Sequence, residues 1–124
     1  MNHFDAEFER CSKWLQDALD HNGNSHDLSH VKDGILRGDY TFWPASNSAI
    51  VTVIIEYPNY RILNMWLGGG ELKQILEMIK SITEYAKILQ CKYVMCCGRN
   101  GWERALKEQG FNSIMRVCSK EIEK

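Results

Sequence analysis

Residues 61–97 read RILNMWLGGGELKQILEMIKSITEYAKILQCKYVMCC, and this stretch decides the architecture. It opens with a β-rich run, residues 61–67. Gly68, Gly69 and Gly70 follow without a break. Leu72, Ile75, Leu76, Ile79 and Ile82 then recur at three- and four-residue steps, extended by Tyr85, Ala86 and Leu89. That spacing predicts a helix over residues 71–90. Residues 93–97 are short and apolar throughout, which predicts a central strand covered on both faces. Strand, helix and strand joined this closely form a βαβ unit, whose right-handed crossover makes the two strands parallel neighbours. Such strands diverge around the start of the helix, and ligands bind there.

The rest of the chain is built onto this unit. Residues 40–43 read as a short strand ending at Pro44, and the Val- and Ile-rich residues 49–56 as a stronger one. Ser46-Asn47-Ser48 and Tyr57-Pro58-Asn59-Tyr60 are the turns between them. Turns this short permit only hairpins, so residues 40–67 form an antiparallel meander. Before it, Phe4, Phe8, Cys11, Leu15 and Leu19, with Trp14 and Ala18, mark one apolar face of a helix over residues 5–19. Asn22-Gly23 ends it. A shorter helix, Leu28–Arg37, is started by Asp27 or Ser25 and stopped by Gly38. After the βαβ unit come a turn at residues 98–101, a short helix at 102–108 ended by Gly110, and a final strand or hairpin at 111–118. The expectation is an α/β fold in a single domain over residues 1–124. Its mixed sheet is an antiparallel meander followed by a parallel βαβ unit, flanked by helices.

Composition excludes several functions. The 15 Lys and Arg residues are matched by 16 Asp and Glu, a net charge of −1 that argues against a nucleic-acid partner. Glu71, Lys73, Glu77, Lys80, Glu84 and Lys87 lie off the helical stripe with mixed sign, as on a solvated face. No apolar run is long enough to span a membrane, and the acidic, polar start is not a signal peptide. Cys11, Cys91, Cys96, Cys97 and Cys118 are an odd set, read as small core hydrophobes of a reducing compartment. Cys96 and Cys97 are adjacent, so on a strand they point to opposite faces and cannot share a metal. His26 and His30 stand at i and i+4 near Asp27, a spacing that can put two ligands on one helical face, but Cys91 and Cys118 add no CxxC pair, and no metal is expected.

Two segments carry a family likeness: residues 61–70, RILNMWLGGG, and residues 98–111, GRNGWERALKEQGF. With the element order, they make residues 40–118 resemble the GNAT (Gcn5-related) N-acetyltransferase fold. More narrowly, the Trp-Leu-Gly-Gly-Gly turn at 66–70 and Gly-Arg-x-Gly-Trp-x-Arg-x-Leu at 98–106 are similar to small GNAT-like proteins of tailed phages and prophages. The resemblance implies an acetyl-CoA or CoA cleft in which Gly68, Gly69 and Gly70 lead backbone N–H groups and a helix N-terminus to the pyrophosphate. This chain departs from the pattern at three places. Met65 stands where the family has Arg or Gln, Glu71 puts negative charge at the helix start, and Leu106 stands where a proton-donating Tyr is common. Glu56, ending the strongest strand, is the candidate general base that the resemblance implies.

Each candidate also has a plain structural reading. The glycine triplet serves equally as a strand-to-helix turn needing close packing. Arg99 is either a phosphate or carboxylate contact or a solvated partner of Glu103. Trp66 and Trp102 wall a cleft or fill a core. Glu56 is a base only if desolvated in the cleft. Two functions follow from the resemblance. One is a binding or virion-associated accessory module with a degenerate acetyl-CoA site, partnered by phage virion proteins or by itself, in a bacterial host's cytoplasm or a virion. The other is an active enzyme moving acetyl from acetyl-CoA to an amine.

Overall fold

Asn2 starts helix α1 (His3–His21) by accepting the Asp5 N–H on its side chain at 2.8 Å. Phe8, Cys11, Leu15, Ala18 and Leu19 are buried along one face of α1, the face their spacing implies. Helix α2 (Leu28–Arg37) begins with a reciprocal cap, in which the Asp27 N–H donates to His30 Nδ1 at 2.9 Å. Gly38, at φ +86°, ends it in the left-handed region that glycine adopts without strain. The structure is a computed structural model that describes residues 2–97 and 102–123.

Strands β1 (Tyr40–Pro44), β2 (Ser48–Glu56) and β3 (Arg61–Gly70) form the expected antiparallel meander. Helix α3 (Leu72–Ile88) crosses over to β4 (Tyr93–Cys96), which pairs parallel with β3. The four-stranded sheet is ordered β1-β2-β3-β4, and helix α4 (Glu103–Glu108) follows. Alternation along β2 sends Ala49 and Val51 into one core with α1 and Val31 of α2. Ile50 joins Leu63, Met65, the buried face of α3 and Leu106 in a second core on the other face. The protein is therefore a three-layer α/β domain with its sheet in the middle.

Three expectations need correction. First, β3 does not stop at Leu67. Gly68, Gly69 and Gly70 stay in the ladder opposite Ile50, Ala49 and Ser48, leaving Glu71 alone between β3 and α3. Second, β4 is an edge strand of four residues, with Tyr93 45% exposed, because among the described residues no strand lies outside it. Third, residues 111–118 form neither strand nor hairpin. Strand propensity is realised only on a pairing edge, and among the described residues this segment meets none.

One irregularity shapes everything that follows. Val51 pairs with Leu67 and Thr52 with Met65, so Trp66 is an extra residue on β3. This β-bulge resets the strand's alternation. Leu63 and Met65 pack on the α3 side, while Leu67 packs on the α1 side.

Candidate functional site

The bulge lies where β3 and β4 separate. Their pairing runs from Ile62–Tyr93 to Met65–Cys96 and stops, while β3 continues for five more residues. A bulged strand bends and twists away from its neighbour. Side chains of α1, α3 and α4 wall the gap without closing it, leaving a narrow cleft with about 40 Å³ of space that water can reach. That is room for roughly three water molecules or for the tip of one slender group. Ile75 and Ile79 of α3 and Leu106 of α4 form its apolar lining, with Trp66 and Trp102 beside them. Both tryptophans therefore face the cleft as well as the cores.

The α1 end supplies the cleft's polar rim. His21 and Asn22 line it, and Asn22 Nδ2 donates to the carbonyl oxygen of Trp66 at 3.1 Å. That bond satisfies a carbonyl at the irregular point of the strand. The Trp66 ring is held between the rings of His26, at 4.7 Å, and Tyr40, at 5.0 Å. Cys96 and Cys97 line the β4 side. Burial, and then the neighbouring Cys97, push the Cys96 thiol up to about 11, so it is a poor source of thiolate at neutral pH. Among the described lining residues there is no carboxylate.

The glycine triplet is explained largely by packing. A Cβ on Gly69 would stand 2.5 Å from the carbonyl oxygen of Trp14, so α1 approaches the strand backbone to backbone. Gly70 has φ +111°, and a Cβ there would meet the Asn47 carbonyl oxygen at 2.3 Å. Gly68 alone faces the cleft, with the nearest atoms of Ile50 and Trp102 at 3.8 Å from its Cβ position.

The start of α3 is set against the β1–β2 turn. The Glu71 N–H donates to the Asn47 carbonyl at 2.9 Å. Gln74 Oε1 accepts from the Asn47 N–H at 2.8 Å and from the Ser48 hydroxyl, and its Nε2 donates to Ser46 Oγ at 2.8 Å. From the other face of the sheet, Arg10 donates to the carbonyls of Ala45 and Ser46 at 2.9 and 3.2 Å. The turn is clamped from both sides.

Glu56 is not brought to the cleft. It pairs with Arg61 at the opposite end of the β2–β3 ladder and forms an exposed ion pair with it. Gly68 lies seven residues further along β3, roughly 23 Å away. Tyr60 meets the rings of Tyr57 and Tyr93 edge-on at that far end, and Tyr85 packs on Trp43; none of them lines the cleft. Leu106 does line it, at the position of the missing tyrosine. Arg99 and the turn at residues 98–101 lie outside the described residues. His26 hydrogen-bonds Ser25, and His30 completes the α2 cap, so each imidazole has a local structural task. Among the described residues no group of three or more His, Cys, Asp or Glu could hold a metal. None of their helices is long and apolar enough to cross a membrane. His21 was missed in the sequence because nothing in a helix-ending histidine marks the cleft it will border.

No family model matches this chain, and no curated protein sequence does. Solved structures do. A mutant of TTHA1254 from Thermus thermophilus superposes with a TM-score of 0.68 at 11% identity, covering 96% of this chain and 92% of that one. An acetyltransferase of Trypanosoma brucei gives 0.63 at 10% identity, covering 89% and 94%. The tetramutant of BH1408 from Bacillus halodurans gives 0.60 at 9% identity, covering 90% and 88%. At such identities the likeness is one of fold. The chain is one α/β domain whose four-stranded mixed sheet is flanked by helices, an architecture consistent with a GNAT-like fold.

Proposed function

We propose that the protein is a binding module that keeps the GNAT-like fold without acetyl transfer. Its cleft takes the end of a slender apolar ligand, such as an acyl chain, between the parted strands. The observation that carries this reading is Glu71 standing alone between β3 and α3. Acetyl-CoA presents a diphosphate, which needs a loop of open N–H groups at a helix start. Here β3 stays laddered to β2 through Gly70, the Glu71 N–H is used by Asn47, and Glu71 brings a negative charge of its own. These residues do not fit a diphosphate. The apolar lining by Ile75, Ile79 and Leu106 fits an acyl or similar chain. The narrower role of a phage-type, virion-associated accessory protein rests on the patterns at residues 66–70 and 98–106.

A second reading is an active N-acetyltransferase, favoured by the open cleft and by His21 at its rim. An imidazole there is of a kind to take the proton from an acceptor amine. Calorimetric titration separates the two. The binding module gives no heat with acetyl-CoA or CoA at millimolar concentration, and saturable heat with a medium-chain fatty acid. Micromolar binding of acetyl-CoA, followed by acetylation of an amine, would establish the enzyme instead.

A further inference from the structure

After α4 the chain carries Ile114, Met115 and Val117 exposed at 66%, 73% and 81%. Scattered apolar side chains are ordinary on a surface, but three within four residues of one β-prone segment are not. In its own copy this segment is tied to α4. The Phe111 N–H donates to the Leu106 carbonyl at 3.1 Å, and the Ser113 hydroxyl donates to Glu103 at 2.6 Å. Nothing pairs residues 114–118 with a strand among the described residues. The same molecule offers a bare sheet edge. Among the described residues β4 pairs with β3 alone, and the exposed ring of Tyr93 stands at its start beside Tyr60 and the Lys92 ammonium. An open edge is a template for another strand.

Area points the same way. The chain exposes 8699 Å², whereas a compact monomer of its mass exposes about 6,800 Å². The excess, roughly 1,900 Å² per chain, falls within what one partner buries in a large homodimer interface.

We infer that two copies of this chain form a homodimer by strand addition. Residues 111–118 of each copy pair antiparallel along β4 of the other and make it a five-stranded sheet. The exchange is reciprocal, so one two-fold axis satisfies both β4 edges and both apolar segments. Tyr93 becomes part of the interface, as aromatic side chains at such sites commonly do.

Sedimentation velocity on the full chain over a concentration series should show a dimer. Ile114→Lys and Val117→Lys, on side chains already in solvent, should weaken it by at least about tenfold while the circular dichroism spectrum stays unchanged. The strand partner is identified by mixing isotope-labelled and unlabelled copies and cross-linking their lysines. Links between Lys92 of one copy and Lys120 of the other are expected. A monomer at submillimolar concentration would overturn the inference. So would a dimer that the two Lys variants leave intact, or one whose Lys92–Lys120 links all fall within single copies.

Discussion

The carbonyl oxygen of Trp14 lies 2.5 Å from the point where a Cβ on Gly69 would stand, so α1 rests directly on the backbone of β3. Gly69→Ala must therefore push the helix off the sheet, at a cost of about 2–3 kcal/mol. Gly68→Ala, with its nearest neighbours at 3.8 Å, changes stability by less than about 1 kcal/mol. Urea denaturation of the two variants distinguishes the positions. Equal losses would contradict the packing role assigned to Gly69.

Gln74 holds three groups of the β1–β2 turn with one side-chain amide. Gln74→Ala leaves the buried Ser48 hydroxyl without that partner, so a loss of about 1–3 kcal/mol is expected. Thermal unfolding reads it. A variant as stable as the parent would mean that the turn does not depend on α3.

Cys96 titrates in the folded protein at about 11, above the roughly 8.5 of a free thiol. A raised acid pKa stabilises the fold below the unfolded value. That contribution is lost as pH rises from about 8.5 through 11. Cys96→Ala should flatten the fall in stability across this window. Iodoacetamide at pH 8 should label the exposed Cys97 and Cys118 well before Cys96, read by peptide mass spectrometry. Preferential labelling of Cys96 would show that its burial is incomplete.

Glu56 and Gly68 lie at different ends of β3's ladder and should respond independently. Glu56→Gln removes only an exposed ion pair, costs less than about 1 kcal/mol and leaves cleft binding unchanged. Gly68→Leu projects into the cleft and should abolish binding of a medium-chain fatty acid with the fold intact. Loss of binding in Glu56→Gln would return that carboxylate to the site.

The helices and the meander were legible because their signals are local. Period, caps and turns act within a few residues, so α2 begins at Leu28 and ends at Arg37, as its Asp27 and Gly38 imply. The cleft was legible as a place, since parallel strands joined by α3 must part near its start. Its chemistry was less so. Glu56 ends β2, but β2 runs antiparallel to β3, so that end lies with Arg61 and away from the glycines. The bulge at Trp66 has no Gly or Pro to announce it; it follows from the competing demands of two cores on one strand. Residues 111–118 carry strand composition, and composition cannot supply the edge on which a strand forms.

Asn47 sits exposed at the tip of a surface turn, yet its N–H is donated to Gln74 on α3. An amide in that position ordinarily exchanges with solvent deuterium almost at once. Here exchange requires the Gln74 side chain to release it, a local opening with a free energy of its own. The Asn47 amide is thus a built-in gauge of how firmly α3 grips the β1–β2 hairpin.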